Sequence, residues 1–172
     1  MGAGHNCQQV YLKLRDERYY WVVMVCCDAE VPEIAGGFVS PHVKICAGVY
    51  STDVTTAEIS AALSLQPTKT QAKGDPIANG LRRCPKHRWE YKPDVPDCLD
   101  FETKLRHLFG DLRTEDVRAL PPTCEFFISV AYYEYQGSSG GWHLDSDVLK
   151  HLAELGGELD IDLYTSGPEL PD

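Results

Sequence analysis

The sequence predicts an α+β domain in which helices cover one face of a largely antiparallel sheet. Three observations carry this prediction. Residues 124–135 form a run of mainly aromatic and β-branched residues, which is typical of a central strand. Helix starts are recognisable at Thr55 and Asp145, each followed by apolar residues at helical spacing. The patterns follow one another in the order ββ-βα-β-α-βα-β, which favours a single sheet with helices on one side.

The N-terminal part is predicted to be a hairpin followed by a connector. Val10, Leu12 and Leu14 alternate with polar residues, and residues 19–27 are apolar and β-branched, so two strands are expected. Residues 28–41 contain two glycines and two prolines and are predicted to form a connector. The predicted organisation is an extension at 1–41, a main domain at 42–164 and a flexible tail at 165–172.

The main domain is predicted to begin with a strand and a helix. Alternation over residues 43–49 indicates a half-buried strand. Thr55 and Glu58 have the spacing of a capping box, and the helix they start should end near Leu65. A short strand is expected at 89–91.

The remaining elements follow from caps and alternation. A second helix should begin at Asp97 or Asp100 and stop at Gly110. The rest of the prediction comprises a helical turn at 114–120, the strand at 124–135, a flexible glycine-rich turn at 137–141, a short strand at 142–144, a helix capped by Asp145 or Ser146, and a last strand at 159–164. The strand-plus-helix units at 43–65 and 142–155 are similar enough in pattern to suggest a pseudo-repeat.

The net charge of −10 is unevenly distributed. Residues 41–92 hold eight basic residues against four acidic ones, whereas residues 93–172 hold seventeen acidic residues against five basic ones. Nucleic-acid binding is not expected, because phosphate contacts need a basic surface. The acidic C-terminal half suits a basic protein partner instead.

The sequence begins without a signal-peptide pattern, and no apolar run approaches the roughly 18 residues needed to span a bilayer. Its seven cysteines are an odd number without a framework spacing. We therefore expect a cytoplasmic protein with free thiols and no membrane contact.

Several short motifs occur in a fixed order. They are residues 57–65 followed by Pro67, the loop at 73–76, the strand at 89–91, and an ending formed by 141–144 and 161–164. In this order and spacing they resemble the bacterial family called domain of unknown function 4279, over about residues 43–164. The family has no assigned chemistry, so the resemblance implies no catalytic site. By analogy alone, a small domain of this sort would suit an immunity or partner-binding role in a bacterial toxin system.

A metal site has only weak candidates. Cys84, His87, Cys98 and His107 are of the right type, because thiolate and imidazole are the ligands zinc prefers. The spacing of the second pair is far longer than in known zinc motifs. No metal and no cofactor are therefore expected.

An enzyme is the alternative function. Lys73, Asp75, Cys84 and His87 concentrate basic, acidic and thiol groups near Trp89, where a cleft could support chemistry. The sequence contains no complete catalytic or phosphate-binding motif. Its paired carboxylates have the positions of helix caps or of a solvated strand face. We therefore expect a protein that is not an enzyme.

The predicted binding surface is aromatic. We expect Phe126, Ile128 and Val130 to face inward. The residues that alternate with them along the strand would then point to the opposite face of the sheet. The candidate surface consists of Trp89, Phe127, Tyr133, Tyr135, Trp142 and Tyr164, with Lys73 and Asp75 as polar neighbours. Exposed aromatic groups mark interfaces, so we expect a non-enzymatic protein-binding domain. The family analogy adds an immunity-type role as one form of that binding. The N-terminal hairpin or a second copy in a homodimer are the alternative covers of this face.

Overall fold

The computed structural model describes residues 7–28, 31–77, 79–136 and 141–167. The fold is α+β, as predicted, with a seven-stranded and mainly antiparallel sheet. Its strands are β1 (Cys7–Lys13), β2 (Tyr19–Cys26), β3 (Glu33–Ser51), β4 (Lys69–Gln71), β7 (His87–Tyr91), β8 (Cys124–Tyr135) and β9 (Glu158–Ser166); β5 (Pro76–Ile77) and β6 (Arg82–Arg83) form a separate hairpin. The helices are α1 (Thr56–Leu63), α2 (Phe101–Asp111), α3 (Thr114–Arg118) and α4 (Ser146–Leu155).

The long strand β3 organises the sheet. Its second half pairs antiparallel with both β7 and β8. β4 pairs with β7, and β9 pairs with β8 in the one parallel pairing among the described strands. The main part of the sheet therefore has the order β4-β7-β3-β8-β9, in which β8 is an interior strand as predicted.

The first half of β3 belongs to a three-stranded N-terminal ribbon, formed by β1, β2 and residues 33–41. The predicted hairpin is confirmed, but the prediction of a connector over 28–41 is wrong from Glu33 onward. Pairing with β2 outweighs the preference of Gly36 and Gly37 for turns. The register shifts between Met24, which is opposite Gly36, and Val25, which is opposite Ile34, so β3 has one extra residue at this point. Gly37 lies under the Trp21 ring, where an added Cβ would be 3.3 Å from the ring atoms.

The helices pack on one face of the sheet around a single apolar core. Alternate residues of β3, including Val43, Ile45 and Val49, are buried on this face. Ile128 and Val130 of β8 face the same way, opposite Ala47 and Ile45 in the register, as the predicted strand parity requires. None of the described helices is long and apolar enough to span a membrane.

Local capping signals explain the helix starts. Thr55 and Glu58 form the predicted capping box, with the Glu58 amide donating to Thr55 Oγ1 over 3.3 Å. Asp100, rather than Asp97, caps α2 by accepting a 2.8 Å hydrogen bond from the Thr103 amide. Asp145 caps α4 as predicted.

Other predicted boundaries differ from the structure. Gly110 lies inside α2, which continues to Asp111, so Gly110 is not the stop. Residues 142–144 form no strand, and the proposed pseudo-repeat therefore lacks its second strand. The predicted glycine-rich turn lies, at 137–140, outside the described residues, as do 168–172 of the predicted tail.

Candidate functional site

The candidate site lies on the open face, which we define as the sheet face opposite the helices. The register brings to this face the residues Lys44, Cys46, Tyr50, Arg88, Glu90, Glu125, Phe127, Ser129, Tyr133, Glu158, Asp160, Asp162 and Tyr164. Three neighbouring strands and the edge strand β9 therefore contribute side chains to one surface. Its charged residues are interleaved with aromatic ones.

A pair of aromatic rings lies at the centre of the open face. The Tyr50 and Phe127 ring centroids are 4.7 Å apart. Phe127 can lie flat on the sheet because it is opposite Gly48, where an added Cβ would be only 2.1 Å from its Cζ. Gly48 is therefore required here by close packing rather than by backbone conformation. Burial raises the pKa of the Tyr50 hydroxyl.

An ion pair lies beside these rings. Arg88 and Glu90 are two residues apart on β7, so both side chains face the same way, and the Arg88 guanidinium is paired with the Glu90 carboxylate. The Glu90 side chain is only 7 % exposed, whereas that of Arg88 is 38 % exposed. Arg88 also lies over the Tyr50 ring, with its Cζ 5.5 Å from the centroid. Glu90 is thus held as a buried charge beneath an accessible guanidinium.

A cavity of 530 Å³ opens on this surface. Its lining combines the aromatic pair and the ion pair with the carboxylates of Glu125, Glu158 and Asp160. A second cavity of 620 Å³ shares Tyr50, Arg88 and Glu125 with it and extends towards Pro85 and Lys86. Lys86 Nζ lies 2.5 Å from Glu125 Oε1, so a second ion pair lines the second cavity, and its carboxylate also lines the first.

Two tyrosines lie further along the open face. Tyr133 and Tyr164 are opposite each other in the register and stack with centroids 4.9 Å apart, which agrees with their predicted placement on a common face. Arg18, in the turn between β1 and β2, has its Cζ 4.9 Å from the Tyr133 ring centroid. Tyr135 is buried instead, packed 5.2 Å from the Tyr19 ring. The ribbon therefore covers the end of the face that contains Tyr135.

The two candidate tryptophans are on the helix side. Trp89 is fully buried, and its Nε1 donates a 3.0 Å hydrogen bond to Ser60 Oγ in α1. Trp142 packs against Phe101 and Tyr132, although it stays partly exposed. The predicted placement of Trp89 on the aromatic surface is wrong, because β7 turns Arg88 and Glu90 to the open face and Trp89 to the core. That of Trp142 is wrong because its ring packs on the helix side, against Phe101 and Tyr132.

The candidate polar residues of the 73–87 loop hold that loop together. The Lys73 amide donates to His87 Nδ1 over 3.2 Å, and Lys73 Nζ donates to the Thr52 carbonyl over 3.1 Å. Asp75 accepts from the Ala72 amide over 2.8 Å. The buried Cys84 thiol donates to the Lys86 carbonyl over 3.0 Å.

The metal candidates do not form a ligand set. Across residues 7–28, 31–77, 79–136 and 141–167, no three His, Cys, Asp or Glu side chains are grouped so that they could hold a metal ion. This applies to Cys84, His87, Cys98 and His107, all of which lie in the described ranges.

A family model described as Domain of unknown function (DUF4279) matches residues 47–166, which is most of the chain. The chain belongs to this family. The DUF4279 match begins within β3, so the N-terminal ribbon lies outside it, whereas the aromatic pair and the Arg88–Glu90 ion pair lie inside it. No curated protein and no solved structure matches the chain.

The central residues of the DUF4279 open face were missed by the sequence prediction. Tyr50 and Arg88 lie outside the motifs of the sequence analysis, Glu90 was considered only as part of the 89–91 strand, and their common placement follows only from the β3–β7 register. Gly48 was the available signal, because a glycine inside a strand often marks the close approach of another group.

Proposed function

We propose that this DUF4279 protein is a non-enzymatic, cytosolic binding domain that recognises a basic protein through its open face. The observation that carries the proposal is the cavity of 530 Å³, lined by aromatic rings and by more carboxylates than cations. It opens on the face opposite the helices, where the Arg88 and Glu125 side chains of its lining are exposed.

The chemistry of this surface suits protein recognition. Rigid aromatic side chains such as Tyr50 and Tyr164 supply contact area at a low entropic cost. The carboxylates of Glu125, Glu158 and Asp160 would attract a basic partner and accelerate association, an effect that salt weakens. The pairing of Glu90 with Arg88 keeps the floor of the cavity organised before the partner arrives.

The enzyme alternative has weaker support. The polar groups predicted for it take part in structural hydrogen bonds: Asp75 and Cys84 bond within or next to their own loop, and Lys73 Nζ donates to the Thr52 carbonyl. A nucleophile needs a partner base and access to substrate, and the Cys84 thiol instead donates to a main-chain carbonyl.

An immunity-type role is the specific form of binding that we propose. A bacterial toxin with a basic surface would be neutralised if the open face occupied its active or receptor-binding surface. A toxin gene beside the gene for this protein would support this role, whereas a metabolic operon would favour the enzyme alternative.

Affinity capture with two charge-reversal variants tests the proposal. Glu125→Lys changes an exposed carboxylate of the cavity, and Asp94→Lys makes the same charge change on the loop before α2. We expect a basic protein to be retained by the wild type and by Asp94→Lys in low salt, and to be lost from Glu125→Lys. Equal retention by both variants would contradict the proposal. Light scattering on the purified protein checks whether a second copy occupies the face instead.

A further inference from the structure

The strand β9 forms one edge of the sheet. It pairs only with β8, in parallel register from Phe127↔Glu158 to Tyr135↔Ser166. Its other edge has no partner strand among the described residues. An edge of nine residues presents a row of main-chain donors and acceptors that another strand can use. The opposite edge strand of this part of the sheet, β4, has only three residues.

Two common protections of an edge strand, proline and lysine, are missing from β9, whose charged residues are all acidic. Leu163, on the helix side of the strand, is 61 % exposed. The strand therefore leaves both hydrogen-bonding groups and apolar surface accessible.

The two faces of β9 have different chemistry. Glu158, Asp160 and Asp162 alternate along the open face and are exposed. None of these three carboxylates has an ion-pair partner within the described part of the chain. Leu159 and Ile161 alternate with them and are half-buried against the core.

We propose that β9 binds an extended segment of a protein partner as an additional strand, and that this segment alternates basic and apolar residues. This inference rests on the function proposed above and names the recognition element. Side chains of adjacent strands lie next to each other on the same face, so basic residues would meet the carboxylates of the open face. The apolar residues between them would extend the row formed by Leu159, Ile161 and Leu163. Main-chain hydrogen bonds would supply affinity and the alternation would supply specificity.

A second copy of this chain is a poor occupant of the same edge. If two β9 strands paired antiparallel about Ile161, Asp160 of each would lie opposite Asp162 of the other. Like charges directly opposite each other destabilise a strand pair. In this register the charge of the strand favours a basic segment over a second copy.

A peptide of nine alternating lysine and valine residues, acetylated and amidated, tests the inference by matching the length of β9. The control peptide has the same composition with the lysines and the valines in two blocks. We expect the alternating peptide to bind at least about tenfold more tightly in fluorescence anisotropy, because only this peptide aligns its charges with the carboxylates. Amide hydrogen exchange should show new protection within residues 158–166.

N-methylation shows whether main-chain pairing occurs. Two versions of the alternating peptide are methylated on every second amide, in the odd or in the even set. Only one set faces β9 in an added strand, so we expect one version to bind and the other to lose at least about tenfold in affinity. Equal binding of the two versions, or equal binding of the block peptide, would overturn strand addition while leaving charge-based recognition by the open face intact.

Charge-reversed proteins test whether the basic residues of the added strand meet the carboxylates of β9. Asp160→Lys/Asp162→Lys should weaken the alternating peptide by at least about tenfold, whereas the control Asp53→Lys/Asp94→Lys, with the same change in net charge, should not. Equal affinities in the two double variants would refute the assignment of the lysines to the carboxylates of β9. Because the peptide comparisons use the wild-type protein, they decide the inference even if a variant folds poorly.

Discussion

Gly48→Ala tests the construction of the open face directly. The new Cβ would lie 2.1 Å from Phe127 Cζ and 2.6 Å from both Cε atoms. Carbon atoms in contact are normally about 3.5–4 Å apart, so the ring would have to move by about 1.5 Å. The Tyr50 ring, 4.7 Å away between centroids, restricts that movement. Overpacking of this kind costs about 1–3 kcal/mol in the free energy of unfolding.

Urea denaturation measures the effect, and Gly110→Ala is the matched control. Gly110 lies in α2 with no atom within 4 Å of an added Cβ, so the same substitution should stabilise the protein, by about 0.5–1 kcal/mol. A second control is Gly48→Ala/Phe127→Ala, in which the coupling between the two sites should recover about 1 kcal/mol or more. A Gly48→Ala variant as stable as the wild type, or no coupling with Phe127, would refute the described packing of Phe127 on the sheet.

Three further predictions concern ionisable groups. Burial, followed by the hydrogen bond to Asp111, raises the pKa of Tyr91 to about 12, so stability should fall as pH rises from 10 to 12. Tyr91→Phe should remove one tyrosine that titrates near pH 12 from the ultraviolet titration. Burial lowers the pKa of His42 below its usual 6.5. The stability that this neutral histidine contributes above pH 6.5 should therefore be lost as the pH falls from 6.5 through the lowered pKa. In urea titrations, His42→Phe should lack that part of the pH dependence of the free energy of unfolding. Lys104→Met should cost about 1–3 kcal/mol in the free energy of unfolding. The buried ammonium donates hydrogen bonds of 2.5 Å to the Val43 carbonyl and of 2.7 Å to the Asp97 carbonyl, and the substitution would leave both without this donor.

Local signals accounted for the parts of the fold that the sequence predicted well. The capping box at Thr55 and the cap at Asp145 act within one helical turn, so they can be identified without knowing the fold. The boundaries of β8 were also predictable, because most of its twelve residues are aromatic or β-branched. By contrast, residues 33–41 form a strand through pairing with β2, and no local pattern indicates that pairing.

The candidate site was predictable only where strand parity was clear. Tyr133 and Tyr164 belong to strands whose inward residues are evident, so their common face could be predicted. The same parity placed Tyr135 on that face but could not show that Tyr19 covers it. In the short strand β7, the sequence could not show that Trp89 faces the core while Arg88 and Glu90 face outward. That distinction comes from the packing of α1, where Ser60 accepts the indole hydrogen bond.

Photocrosslinking in the native host tests the open face most directly as the binding surface. A benzophenone side chain would replace Tyr164 on the open face or, as the control, Leu149 on α4; both positions are exposed, by 46 % and 52 % respectively. The proposed function predicts a covalent adduct with a basic protein from position 164 and none from position 149. An adduct formed only from position 149, or only with a second copy of this chain from position 164, would contradict it.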